Sequence, residues 1–341
     1  MKKKLSKIGR YSNYVVAMLL LLSYLVPYLP PKHFGYLSVL GLLTPILLLI
    51  NCLFAIYWLI RRRQLVLISG VALCLGLGLV GLWVQPFGRN EEVKANSLKL
   101  LSFNVRLFNH YHWHPDEDLH KRITSFIANE SADVILLQEF YNSPLYYPKG
   151  YPYKAIVVKQ QRHKIGLAIF SKKKIVNWGS LQFPKTANNA MYADILTDND
   201  TVRVYNMHLE SLHVSAKEED LWEEDKEELV ENISRRFAKQ QEQVSLFLAH
   251  QAQCKHKIIV TGDFNNTAYS YIYRQVRGNK LNDAFQEAGR GFGRTFNFAY
   301  FPFRIDFILV DKKFRIHSFK THYLPLSDHF PLTTTISKIT D

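Results

Sequence analysis

Apolar positions follow two regimes along this chain. The first 84 residues hold three runs without a charged side chain, 13–30, 36–60 and 65–84. A helix needs about 20 such residues to cross a bilayer, so the pattern predicts three transmembrane helices there. From residue 98 onward the apolar runs shorten and alternate with polar turns, the pattern of strands and helices in an α/β domain. Strands are expected at 98–105, 133–139, 153–159, 165–170, 191–196, 202–207, 257–261, 304–310 and 332–336. Helical spacing of Leu119, Ile123, Phe126 and Ile127 predicts a helix over 118–129. Leu229, Ile233, Phe237, Val244, Phe247 and Leu248 give an inward face to a second helix over 217–251. A third is expected over 269–277. Asp198-Asn199-Asp200 marks a hairpin turn between two of the strands.

Residues 85–97 are polar, with Pro86, Gly88 and a Glu pair, and read as a linker. The chain therefore divides into a membrane region (1–84), a linker (85–97) and a domain (98–341) long enough for one sizeable core. Within the second apolar run, Pro45 and Asn51 imply a kink or a helix contact, since no charge accompanies them.

The net charge of +14 first suggests a nucleic-acid partner, but its distribution changes that reading. Residues 1–95 hold 11 Lys/Arg against 2 acids, leaving 32 basic and 27 acidic residues for the remainder. The basic excess flanks the apolar runs: Lys2, Lys3, Lys4, Lys7 and Arg10 precede the first, and Arg61, Arg62 and Arg63 separate the second from the third. Positive flanks face the cytoplasm, so three crossings would place the domain outside, on the periplasmic face of an inner membrane. A signal peptide also has a basic start and an apolar centre, but two further apolar runs follow here. Of the three cysteines, Cys52 and Cys74 lie in apolar runs and only Cys254 in the domain, so no thiol cluster of metal-site spacing exists.

Candidate chemistry sits where strands end. Lys257-Ile258-Ile259-Val260-Thr261-Gly262-Asp263-Phe264-Asn265 is a buried strand stopped by a turn. Gly262 permits a close backbone approach. Asp263 and Asn265, two apart, can enter one site: an acid to orient water or bind a cation, and a neutral amide to donate to a phosphoryl oxygen. An Asx turn capping the next helix is the bland alternative. Asn104 and Glu139 each end an apolar run, where turn chemistry and solvation are the ordinary explanations. His208 follows Asn206-Met207 where a strand leaves the core. Asp306 stands inside an apolar strand and needs a partner, for which a histidine is suited. Asp328-His329 precedes the final strand. His110, His112 and His114 alternate, but around Pro115 they read as a surface loop. Lys172-Lys173-Lys174 reads as a solvated turn. Gly289-Arg290-Gly291-Phe292-Gly293 lacks a following helix and is not read as a nucleotide-binding loop.

In this order, Ser-Phe-Asn104-Val, Leu-Gln-Glu139, Asn-Met-His208-Leu, Gly-Asp263-Phe-Asn265, Arg-Ile-Asp306-Phe and Ser-Asp328-His329 resemble the endonuclease/exonuclease/phosphatase superfamily, and its membrane-anchored bacterial members in particular. The resemblance covers residue 98 to the C-terminus. It implies a two-sheet α/β sandwich of the deoxyribonuclease I type, preceded here by the helical region, and metal-dependent hydrolysis of phosphoesters with Mg2+, or Mn2+ in its place. It further implies that Glu139 binds the metal, with Asn104 and Asp328 beside it. Asp263 would orient or activate water and Asn265 contact phosphate. His329, held by Asp306, would act as base or charge stabiliser, and His208 would serve the phosphoryl oxygens or the leaving group.

His208 resembles the deoxyribonuclease I, sphingomyelinase and inositol phosphatase branches. Asn266 stands where inositol polyphosphate 5-phosphatases carry a basic residue, and Phe140-Tyr141-Asn142 replace the basic residue of pancreatic-type deoxyribonucleases. The expected partners are therefore the bilayer, through the N-terminal helices, and a phosphoester in nucleic acid or a phospholipid headgroup. The competing class is a catalytically silent, membrane-tethered binding module on the same fold.

Overall fold

The computed structural model describes the chain except residues 1, 90, 92–95, 198–199, 213–224, 299–300 and 340–341. The Asp198-Asn199 part of the expected hairpin turn and residues 217–224 of the expected helix lie outside the described residues. The chain forms two compact units. The first comprises residues 1–83, 225–241 and 266–275; the second comprises 84–224, 242–265 and 276–341.

In the first unit, α1 (Lys2–Ser23), α2 (Pro31–Arg61) and α3 (Val66–Leu75) pack together, and a short α4 (Leu77–Val80) follows. Polarity is inverted relative to a water-soluble bundle. Asn13, Ser69 and Asn51 are fully buried, whereas Val15, Met18, Leu53, Ile56 and Leu67 face outward. Interhelical bonds use the buried polar groups: Ser69 Oγ donates to Asn13 Oδ1 (2.6 Å), and Asn51 Nδ2 to the carbonyl of Val16 (3.3 Å). Such bonds are the adhesive of helices in lipid, where apolar contact alone gives no preference for a neighbouring helix. Asn51 is thus a helix contact, as its position suggested. Residues Lys7–Tyr28 and Pro31–Arg61 are long and apolar enough to cross a membrane. The third run is not. It breaks at Gly76 into helices of ten and four residues, where about 20 continuous residues are required. The third crossing therefore has no single span-length helix behind it, and the periplasmic placement rests on the charge pattern alone.

The second unit is built on two six-stranded sheets. One has the order β10–β12–β9–β8–β7–β6, with β6 Ile175–Ser180, β7 Asn189–Thr197, β8 Asp200–His208, β9 Lys257–Asp263, β10 Leu281–Asp283 and β12 Asp306–Asp311. The other has the order β13–β14–β2–β3–β5–β4, with β2 Leu98–Asn104, β3 Val134–Tyr141, β4 Tyr153–Gln160, β5 Ile165–Ser171, β13 Phe314–Thr321 and β14 Leu332–Lys338. Short β1 (Val84–Gln85) pairs with β11 (Gly291–Phe292).

Leu98, Leu100, Val134 and Leu136 meet Ala193, Val204, Ile259 and Ile308 in one core. The alternate residues Leu101, Phe103 and Ile135 pack on Leu119, Ile123 and Ile127 of α5 (Leu119–Glu130) in another. Strands buried on both faces explain why the apolar runs are nearly continuous rather than alternating. The two-sheet α/β sandwich expected from the motifs is the fold. Strands β6 and β13 were not anticipated. β13 carries Arg315 and Lys320 at its exposed positions, and β6 has no buried residue, its apolar Val176 and Trp178 being exposed on either side of Asn177, so neither shows the pattern of a core-facing strand.

Candidate active site

Two parallel strand pairs set the site. Along β2 and β3 the register places Asn104 beside Gln138, and along β8 and β9 it places His208 beside Asp263. Antiparallel pairing of β9 with β12 puts Asp306 opposite Asp263. Asn104, His208 and Asp263 thus end their strands and Asp306 begins one, at the same end of the sandwich. Gly262 makes the tightest approach: its φ is +129°, and a Cβ there would lie 2.0 Å from the Met207 carbonyl oxygen. Glu139 is turned by a bulge in β3, with its own φ at +46°. A bulge re-aims one side chain without ending the strand, and this one frees Glu139 from the core-facing alternation.

Asn104 is the hub. Its Nδ2 donates to Glu139 Oε1 and to Asp263 Oδ2, both at 3.1 Å, and its Oδ1 accepts the Arg106 N–H. Asp263 is buried. Its Oδ1 accepts the Asn265 N–H (2.8 Å), and its Oδ2 lies 3.6 Å from Nε2 of both His208 and His329. His329 faces Asp306 through Nδ1, 2.9 Å from Oδ2 and 3.1 Å from Oδ1. Asp306 therefore has the histidine partner its burial demanded. Asn265 has φ +49°, and its Nδ2 donates to the Leu209 carbonyl at 3.0 Å. Asp328 forms an ion pair with Arg106 at 3.0 Å and accepts the Ser327 hydroxyl. His110, by contrast, stacks on Tyr141, and the His114 ring accepts a backbone N–H from Asp116. The three alternating histidines form a loop rather than a metal centre among the described residues.

Electrostatics divides the ionisable groups. Burial pushes the Asp263 carboxyl up to about 6; the two histidines oppose the rise and Asp306 adds to it. Burial alone would lower the His329 imidazole, but Asp306 and Asp263 outweigh it and hold the ring well above its ordinary value. Burial wins at His208, whose ring falls below its ordinary value despite Asp263. Glu139 is raised, first by burial and then by Asp328. The site accordingly offers a carboxylate near neutrality, a charged imidazole and a neutral one.

A metal would be held by oxygen donors. Glu139, Asp328 and the Asn104 amide are hard ligands of the kind Mg2+ takes. Burial raises Glu139 first and Asp328 adds to it, and this second, charge–charge contribution is one that a divalent cation between the two carboxylates would offset. Asp263, Asp306 and His329 also bring ligand atoms within 4.8 Å of one another. There His329 Nδ1 is already engaged by both Asp306 oxygens, so that group is better described as a hydrogen-bonded relay.

Three contributors were not singled out from the sequence. Arg106 opens a turn of four residues with positive φ (Arg106 to Asn109, 41° to 61°), and lies 4.3 Å over the Trp113 ring. Gln138 donates to Asn206 Oδ1 (2.6 Å), while Asn206 Nδ2 donates to the Leu137 and Ala168 carbonyls, tying the two sheets together behind the site. The available signal was an amide inside an apolar run one or two residues before a functional residue, as in Leu-Gln-Glu and Asn-Met-His.

Residues 101–329 match the family described as Endonuclease/Exonuclease/phosphatase, and residues 6–83 match one described as a domain of unknown function, DUF8431. No curated protein matches the chain. Among solved structures, the endonuclease/exonuclease/phosphatase from Bacteroides vulgatus aligns at 20% identity with a TM-score of 0.56, covering 72% of this chain and 100% of that one. The human nocturnin catalytic domain with bound sulfate aligns at 18% identity and 0.55, covering 74% and 98%. A mannosyl-6-phosphatase from Bacteroides thetaiotaomicron aligns at 18% and 0.53, covering 70% and 99%. At these identities the likeness to solved structures is one of fold.

Proposed function

We propose that this chain, which belongs to the endonuclease/exonuclease/phosphatase family and is a hydrolase of phosphoester bonds, is a membrane-anchored, divalent-metal-dependent phosphodiesterase. The observation that carries the reading is the Asp306–His329–Asp263 relay beside Asn104 and Glu139 at one strand end. The bound cation would sit on Glu139, Asp328 and Asn104 and offset charge on a phosphoryl oxygen. Asp263, raised toward neutrality, accepts a proton from the attacking water, as a base with a matched pKa does. His329, kept charged by Asp306, faces the phosphoryl oxygens and stabilises the charge that accumulates on them. His208 is neutral and donates a hydrogen bond to the phosphoryl group or the departing oxygen. The water oxygen bonds to phosphorus, one P–O ester bond breaks, and the departing alcohol oxygen gains, in net, the proton that Asp263 took. Asn265 holds the turn that aims Asp263, through its own N–H and through Leu209.

The helices Lys7–Tyr28 and Pro31–Arg61, with polar residues inside and apolar residues outside, support the anchor. The test uses the full chain in detergent, with bis-p-nitrophenyl phosphate, p-nitrophenyl phosphate, plasmid DNA and phospholipids as substrates. Metal-dependent turnover abolished by Asp263→Ala and by His329→Ala is the expected result. A folded, metal-binding chain without turnover on any of them would sink the reading and leave the silent binding module.

A further inference from the structure

Arg106, Leu107, Phe108 and Asn109 all have positive φ, between 41° and 61°, and none is glycine. The run begins two residues after Asn104. A side chain in that region strains the backbone, and such residues persist where the surrounding structure over-determines them, as at ligand clamps. This turn is fixed along its length. The Arg106 N–H donates to Asn104 Oδ1, and the Arg106 carbonyl accepts from Trp113 Nε1, both at 3.1 Å. The buried Phe108 ring stacks on Tyr146, with centroids 4.4 Å apart. The buried Asn109 amide donates to the His114 and Asp116 carbonyls, both at 3.0 Å.

The side chain this turn brings to the active-site carboxylates is Arg106. Its guanidinium lies 4.3 Å over the Trp113 ring, and Nη1 is 3.0 Å from Asp328 Oδ2. Asp328 engages one nitrogen. Among the described residues no hydrogen bond takes up the other donors of the guanidinium, and the side chain is 38% exposed. Arginine carries five N–H donors in a planar fork that matches phosphate oxygens two at a time.

The same residue stands in the way of a cation. Both Asp328 oxygens are engaged: Oδ1 accepts the Ser327 hydroxyl at 3.0 Å, and Oδ2 faces Arg106. A divalent ion joining Asp328 therefore stands close to the guanidinium, and like charges so placed oppose each other. The field of Arg106 reaches Glu139 as well. Burial and then Asp328 raise that carboxyl, and Arg106 is among the groups that oppose the rise. Arg106 thus already supplies part of the positive charge that the two carboxylates call for. A phosphoryl group, negative and rich in acceptors, removes the conflict by lying between guanidinium and cation.

We propose that Arg106 binds the substrate phosphoryl group and couples it to the cation: its hold on Asp328 weakens cation binding, and its free donors bind the phosphate. The proposal rests on the metal-dependent phosphodiesterase reading and adds a substrate-binding residue to it. The full chain in detergent is titrated by calorimetry with Mg2+ alone, and with inorganic phosphate at saturating Mg2+. The parent is compared with Arg106→Ala and Arg106→Lys. In Arg106→Ala, Mg2+ alone is expected to bind roughly fivefold more tightly, and phosphate roughly tenfold or more weakly. Arg106→Lys keeps the charge but not the fork, so Mg2+ binds as in the parent and phosphate binds less tightly. A merely structural role would weaken both ligands together. Mg2+ affinity unchanged or lowered in Arg106→Ala overturns the proposal and leaves the phosphodiesterase reading in place, as does phosphate affinity equal to the parent's in either variant. Should Arg106→Ala fail to fold, Arg106→Lys alone decides by its phosphate affinity. A parent chain that binds no divalent cation overturns both readings.

Discussion

Replacing Gly262 with alanine tests the register that builds the site. The residue sits at φ +129°, and the new Cβ would stand 2.0 Å from the Met207 carbonyl oxygen and 2.8 Å from its nitrogen. Neither neighbour is a side chain that can swing away; both belong to the backbone of β8. Holding an L-residue at such a φ costs about 1–3 kcal/mol. Forcing packed strands apart to relieve the contact costs about 1–3 kcal/mol more. A loss of about 3 kcal/mol is a large part of the roughly 5–15 kcal/mol by which a domain is stable. In a unit of this size each kcal/mol moves Tm by roughly 2–4 °C, so a drop of about 10 °C is expected by differential scanning fluorimetry. Separating β8 from β9 also withdraws His208 from Asp263, now 3.6 Å apart, so turnover falls in the surviving folded fraction. A variant with Tm within 2 °C of the parent, and with equal turnover, would refute the argument that the close approach of these strands sets the site.

Three further outcomes follow from the same geometry. Glu139→Gln should weaken Mg2+ binding by calorimetry and lower turnover by roughly 100-fold or more, with little change in Tm; an unchanged metal titration would remove Glu139 from the ligand set. Asp194 is buried against Arg203 (2.6 and 2.7 Å) and Asn177 (3.0 Å). Burial raises its carboxyl, but those bonds outweigh burial and leave it below its ordinary value. Its stabilisation is thus complete above the unfolded carboxylate pKa of about 4 and is lost as pH falls through the lower folded value. Asp194→Asn should cost about 3 kcal/mol near pH 7 and flatten the acid limb of a Tm-versus-pH curve; a parallel curve would contradict this. Asn206→Leu removes the shortest of three bonds made by Gln138 Nε2 and the amide donor shared by two carbonyls between the sheets, a loss of about 3 kcal/mol at roughly 1–3 kcal/mol per unsatisfied group. Chemical unfolding of the full chain reads it, and a midpoint like that of the parent would show the bridge to be dispensable.

Much of this molecule was legible in one dimension because its elements carry strong local signals. Strands buried on both faces must be largely apolar, so β2, β3, β8, β9 and β12 announce themselves, and a polar residue at or near one end of each stands out. Gly262 was legible because no other residue tolerates that backbone and that proximity. The ordered set of Asn104, Glu139, His208, Asp263, Asp306 and His329 was assembled by its resemblance to a family's motifs, since most of these residues had an ordinary explanation when taken alone. The partnerships could not be. That Asp306 binds His329 rather than His208 depends on the antiparallel register of β9 and β12 and on the turn before β14. Glu139 reaches Asn104 through a bulge that leaves no mark in the apolar pattern. Arg106 reaches Asp328 across more than 220 residues of chain, from a left-handed turn with no glycine to betray it. The third apolar run shows the converse: composition alone made it a span, and the break at Gly76 divided it. Composition and periodicity fix which residues must be buried, since burial is a property of each side chain. Which ionisable groups share one cavity, and therefore which is acid, base or neutral, is a property of pairs, and only the packed sheets decide it.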